Sequence, residues 1–179
     1  MGSRADPAAL RGAVIFDRDG VLNEEVGYAH RPDQIRWVEG AIEAVRRVND
    51  LGLFAFVATN QGGIAHGYYT EEHVAALHNW MTEQLAGHGA RIDAFVYSPY
   101  HPEGVVEAYR RDTECRKPKP GMILELLSRF PVDRSRTVMI GDRRSDVEAA
   151  EAAGIEGLLF DGGSLLARLE PVLARIAGA

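Results

Sequence analysis

Ala13-Val14-Ile15-Phe16-Asp17-Arg18-Asp19-Gly20-Val21-Leu22-Asn23 joins an uninterrupted apolar run to two acids and a glycine. Four apolar residues in a row suit a strand buried on both faces, as in parallel sheets. Positions i and i+2 of an extended chain share a side. Asp17 and Asp19 are therefore expected to converge at the strand's carboxyl end, with Arg18 pointing away. Gly20 permits the sharp turn that follows. Two carboxylates about 4 Å apart repel by roughly 4 kcal/mol at an effective dielectric near 20. Either one holds a proton or a cation sits between them; the alternative is a strand end capped by acidic turn residues.

Outward from this strand, helices and strands alternate. A loop over 24–37 leads to a helix over 39–51 that stops at Gly52. A buried strand over 53–58 runs into Thr59-Asn60-Gln61-Gly62-Gly63, and Thr70 opens a helix to about residue 86. A strand over 92–97 precedes an irregular loop, 98–117. Pro120 suits the first turn of a helix over 121–129. A strand over 137–140 ends in Gly141-Asp142, then come a helix over 145–153, a strand over 157–160 and a last helix capped by Ser164. Such alternation predicts an α/β fold, a Rossmann-like three-layer sandwich around a central parallel sheet. One domain over 13–179 is expected, after a polar, flexible N-terminal segment over 1–12.

The 179 residues suffice for one domain with a real core. With 26 acidic and 20 basic residues the net charge is -6, which weighs against nucleic acid as a partner. The single cysteine, Cys115, excludes an internal disulfide. No apolar run reaches the roughly 20 residues of a membrane helix, and no signal-peptide core is present. A cytoplasmic monomer with no membrane partner is the expectation.

Ligands of such folds bind beyond the carboxyl ends of the strands. Here those ends carry Asp17 and Asp19, Thr59-Asn60-Gln61, and Gly141-Asp142, with Arg116-Lys117 just before a helix. Acids, a hydroxyl and cations at one edge describe a magnesium and phosphate site.

Asp17-Arg18-Asp19-Gly20-Val21, Thr59-Asn60-Gln61, Lys117-Pro118 and Gly141-Asp142-x-x-x-Asp146 resemble, in order and spacing, the four motifs of the haloacid dehalogenase superfamily of phosphatases. Gly27-Tyr28, Glu39-Gly40, Gly63-Ile64-Ala65-x-Gly67 and Cys115-Arg116-Lys117-Pro118-x-Pro120-Gly121-Met122 resemble its D-glycero-D-manno-heptose 1,7-bisphosphate phosphatase branch, whose relatives include histidinol-phosphate phosphatase domains. The resemblance implies hydrolysis of a small phosphorylated sugar through an aspartyl-phosphate. Histidinol phosphate as substrate, or a phosphate-binding module without catalysis, are the alternatives.

The resemblance also implies roles. Asp17 is the nucleophile and Asp19 the general acid and base. Asp17, the Asp19 backbone carbonyl and Asp142 hold magnesium. Thr59 and Lys117 bind the transferring phosphoryl group. Glu25, Gly27, Tyr28, Asn60, Gln61, Arg116 and Arg143 face the substrate. Asp146 either caps a helix or reaches the metal shell through water or Lys117.

Branch members commonly carry a zinc loop, Cys-x-His followed by Cys-x-Cys. Ser98, Tyr100, Thr113 and Cys115 stand at those positions here. A structural zinc needs four nitrogen or sulfur ligands, so zinc is not expected, even with His101 as a second ligand. His66, His73, His78 and His88 are expected at the surface, and Trp37 and Trp80 in packing. Neither 21–38 nor 98–119 is long enough for a folded cap domain, so an uncapped site is expected.

Overall fold

The computed structural model describes residues 10–178. Five parallel strands form one sheet in the order β3-β2-β1-β4-β5: β1 (Arg11–Phe16), β2 (Phe54–Asn60), β3 (Ala94–Ser98), β4 (Val132–Gly141) and β5 (Glu156–Leu159). The helices are α1 (Ala41–Asp50), α2 (Glu71–Gly87), α3 (Gly121–Arg129), α4 (Arg144–Ala152) and α5 (Leu165–Ala177).

The apolar run at the chain's start explains the layering. Val14 and Phe16 join a core with α1, α2 and α5, while Ala13 and Ile15 join a second core with α3 and α4. Alternate side chains of β1 thus enter opposite layers, and all four are fully buried. Burying each of the larger ones contributes about 1.5–3 kcal/mol. Trp37 and Trp80 pack, half-buried, against the first core.

Strand bounds shift by one or two residues in β1, β2, β3 and β5, and the start of β4 shifts further. Arg11 and Gly12 belong to β1 rather than to a flexible segment; residues 1–9 lie outside the described residues. β4 starts at Val132, well before the expected apolar run. Its first half, Asp133 to Arg136, is largely exposed, so no apolar signal marks it.

Between β1 and α1 the chain forms only a loop with a single 3-10 turn, Pro32–Gln34. Between β3 and α3 it forms a loop with the turn Glu107–Tyr109. No cap domain is built from either. No helix of the described residues is long and apolar enough to cross a membrane. Because the strands are parallel, β1, β2 and β4 all end on one edge, with β1 in the middle. Asp17 therefore lies between the residues that finish β2 and β4.

Candidate active site

Asp17 follows the last residue of β1. Its Oδ1 accepts the Arg18 backbone N–H at 2.7 Å and lies 3.0 Å from Lys117 Nζ. Lys117 is almost completely buried, and all three ammonium protons have acceptors: Asp17, Asp146 Oδ1 at 2.6 Å and the Ala58 carbonyl at 2.9 Å. Burial pushes the Asp17 carboxyl up to about 7, with Lys117 pulling against it. Burial also works against the Lys117 charge, but Asp17 and Asp146 together hold it above the usual lysine value. The ammonium is thus a fixed positive centre beside Asp17.

Asn60 and Gln61 both line the cavity, and their side-chain amides are already engaged. Asn60 clasps the Lys117 backbone: Nδ2 donates to its carbonyl and Oδ1 accepts its N–H, each at 3.0 Å. Gln61 Nε2 donates to Asp19 Oδ2 at 3.0 Å and to Thr59 Oγ1 at 2.9 Å. Gln61 Oε1 accepts the Tyr69 hydroxyl at 2.6 Å. A Cβ at Gly63 would lie 2.2 Å from the Tyr69 ring, so only glycine admits that ring. Thr59 is buried behind the cavity wall.

Arg18 does not point away. It is fully buried and its Nη2 meets Asp19 Oδ2 at 3.0 Å, the Ala29 carbonyl at 2.7 Å and Gln61 Oε1 at 3.2 Å. Asn23 Nδ2 donates to Asp19 Oδ1 at 3.0 Å. Asp19 is therefore held by three side chains. His78, expected at the surface, is buried in α2 and its Nε2 lies 3.2 Å from Arg18 Nη1. Burial first, and the Arg18 charge next, push His78 down to about 3, so its neutral ring accepts from the guanidinium.

Asp142 follows β4, across from Gly20. A Cβ at Gly20, where φ is 85°, would lie 2.1 Å from Asp142 Oδ2. Burial, then Asp146, raises the Asp142 carboxyl. Asp17, Asp142 and Asp146 offer oxygens within 4.8 Å of one another. Asp142 Oδ1 is buried and has no hydrogen-bond partner among the described residues. An orphaned carboxylate oxygen costs free energy unless a cation or water satisfies it. Oxygen donors of this kind suit magnesium. Asp146 both caps α4, accepting the Arg143 N–H at 3.0 Å, and pairs with Lys117, so it orients the lysine.

The cavity above these residues has a volume of about 650 Å³. Glu25, Gly27, Tyr28, Arg116 and Arg143 line its outer wall, as do His66 and His101. Tyr28 stands at φ 54° and packs edge-on against Tyr68 at 4.8 Å. Arg143 Nη2 reaches Glu25 Oε2 at 3.4 Å, an exposed pair worth little in energy. Arg116 Nη1 donates to the Tyr100 carbonyl at 3.1 Å. Sequence reasoning placed neither His66 nor His101 on this wall.

Three of the four zinc-loop positions still meet. Cys115 Sγ lies 3.0 Å from Thr113 Oγ1 and 3.4 Å from Ser98 Oγ. The fourth, Tyr100, carries the Arg111 guanidinium over its ring at 4.7 Å. Glu71, at the start of α2, accepts the Tyr97 and Tyr109 hydroxyls, the latter at 2.7 Å. Hydrogen bonds and stacking hold the segment from Ser98 to Lys117.

A family model described as HAD-hydrolase-like matches residues 114–171. The D-glycero-beta-D-manno-heptose-1,7-bisphosphate 7-phosphatase of Rhodopseudomonas palustris is 45% identical over 172 residues, 96% of each chain. The enzyme of that name from Escherichia coli K12 is 39% identical over 143 residues, 80% of this chain and 75% of that one. The crystal structure of D,D-heptose 1,7-bisphosphate phosphatase from B. bronchiseptica, complexed with magnesium and phosphate, is similar with a TM-score of 0.80 at 28% identity. That match covers 92% of this chain and 99% of the other.

Proposed function

This chain belongs to the heptose bisphosphate phosphatases of the haloacid dehalogenase-like hydrolases, and on that premise we propose that it removes the 7-phosphate of D-glycero-beta-D-manno-heptose 1,7-bisphosphate. It is a phosphoric monoester hydrolase. The observation that carries the reading is the placement of Asp17, beside the buried Lys117 ammonium and two positions before a firmly held Asp19.

An Asp17 oxygen attacks phosphorus, the P–O bond to the sugar breaks, and the electron pair goes to the sugar oxygen. Asp19 gives that oxygen its proton. Asp19 then takes a proton from water, whose oxygen bonds to phosphorus as the Asp17–phosphorus bond breaks and phosphate leaves. Lys117 balances charge on the phosphoryl oxygens, and Thr59, behind the cavity wall, holds the Gln61 amide through its hydroxyl. Asp17, Asp142 and the Asp19 carbonyl would hold magnesium, which when bound neutralises the phosphoryl oxygens. The same reading has a monomer acting on a free sugar phosphate in the cytoplasm.

Phosphate release over heptose 1,7-bisphosphate, its monophosphates and histidinol phosphate, with and without magnesium, tests this. Fastest turnover on the heptose bisphosphate is expected. A preference for histidinol phosphate would refute the assignment.

A further inference from the structure

His101 has a role that neither the motifs nor the proposed chemistry absorbs. Its Nδ1 accepts the Glu103 backbone N–H at 3.1 Å. A ring nitrogen that accepts carries no proton, so in the neutral ring the proton sits on Nε2. Burial, then Arg116, then His66 hold the ring below its ordinary pKa, with Glu103 opposing, so it is neutral at pH 7. The neutral ring therefore offers one donor, at a known atom.

That donor has a defined place. A Cβ built on Gly62 would meet His101 Cδ2, the carbon beside Nε2, at 3.3 Å and Arg116 Nη1 at 3.3 Å. Both side chains thus flank the same bare glycine on the wall of the cavity that holds Asp17. The position is also braced. The His101 N–H donates to the Tyr109 carbonyl at 3.2 Å, its carbonyl accepts from Gly104 at 3.1 Å, and the His66 ring tilts against it at 4.6 Å. A dianionic phosphate has acceptors only, and a neutral donor beside a cation meets it without adding like-charge repulsion to Arg116.

We propose that His101 recognises the non-reacting phosphate of a sugar bisphosphate, donating from Nε2 beside Arg116. This rests on the sugar-bisphosphate reading above.

His101→Leu and His101→Gln test it, each first shown to melt with the wild type. On heptose 1,7-bisphosphate His101→Leu should raise KM by about tenfold, the loss of one good hydrogen bond to a charged group, and leave kcat within about twofold. On the 7-monophosphate KM should not move, and His101→Gln, whose amide still donates, should restore most of the loss. Equal losses on both substrates, or a glutamine variant as impaired as the leucine one, would overturn the proposal. A wild type with no preference for the bisphosphate would sink the substrate reading and this inference with it. Independently of any His101 variant, long-range ¹H–¹⁵N spectra of the Asp17→Asn protein should show the Nε2–H tautomer and a shift of that nitrogen on adding the bisphosphate. The Nδ1–H tautomer, or no shift under saturating bisphosphate, would also overturn it.

Discussion

Arg18 and Asp19 are neighbours in sequence, yet their side chains turn to face each other, Nη2 to Oδ2 at 3.0 Å, with the arginine wholly buried. A buried guanidinium left without its acid, or the acid without it, costs about 3–5 kcal/mol. Arg18→Met should therefore lower the unfolding free energy by an amount of that order in denaturant titrations. Arg18→Lys keeps the charge but loses the fork. It should fold and show roughly tenfold to a hundredfold lower kcat with little change in KM. Unchanged kcat in a folded lysine variant would show that Asp19 is oriented without Arg18.

Asp17→Asn should cut turnover by roughly 10³-fold or more, since the amide cannot form the acyl phosphate. Retention of a tenth of the activity would exclude that intermediate. Stability should move the other way. With its carboxyl raised to about 7, Asp17 supports the metal-free fold most at low pH, and that support is lost as pH rises through 7. The asparagine variant should gain on the wild type from about pH 4 to 7, read as a widening gap in melting temperature without magnesium.

His78 supplies the opposite slope. Its pKa falls from 6.5 unfolded to about 3 folded, so its contribution is present above pH 6.5 and is lost as pH falls towards 3. The slope is at most about 1.4 kcal/mol per pH unit. His78→Gln keeps an acceptor for Arg18 and removes the titration, while Asp17 cancels from the comparison. The stability advantage of wild type over variant should shrink by about 2 kcal/mol between pH 7 and 5. Parallel curves would mean that the ring does not resist protonation.

Magnesium should stabilise the protein in the absence of substrate, by about 2.7 kcal/mol at a hundred times its dissociation constant. Asp142→Asn, at the oxygen that has no partner among the described residues, should lose most of that gain. An undiminished shift in the variant would move the cation elsewhere.

The sheet and its chemical edge were legible because the apolar runs of β1, β2 and β4 end where the chemistry begins, at Asp17, Thr59 and Gly141-Asp142. Arg18 was not, because alternation holds only in extended chain. β1 ends at Phe16, and the Arg18 carbonyl accepts from Leu22 and Asn23 in a tight turn. His78 was missed because nothing local distinguishes a helical histidine facing solvent from one facing an arginine sixty positions earlier. The first half of β4 is polar and carries no strand signal. The Asn60 clasp on Lys117 joins a strand end to a distant loop, which spacing alone does not encode.

The order of strands in the sheet also governs when the protein becomes active during its synthesis. β1 leads into Asp17, but its two neighbours leave the ribosome at different times: β2 soon after it, β4 much later. Until β4 docks, one side of β1 lacks its hydrogen-bonding partner and Asp17 lacks Asp142 and Asp146. A nascent chain that stops short of Gly141 is therefore not a weaker phosphatase but one with no assembled centre at all. Translation products that end before Asp142 lack part of this centre and are not expected to release phosphate.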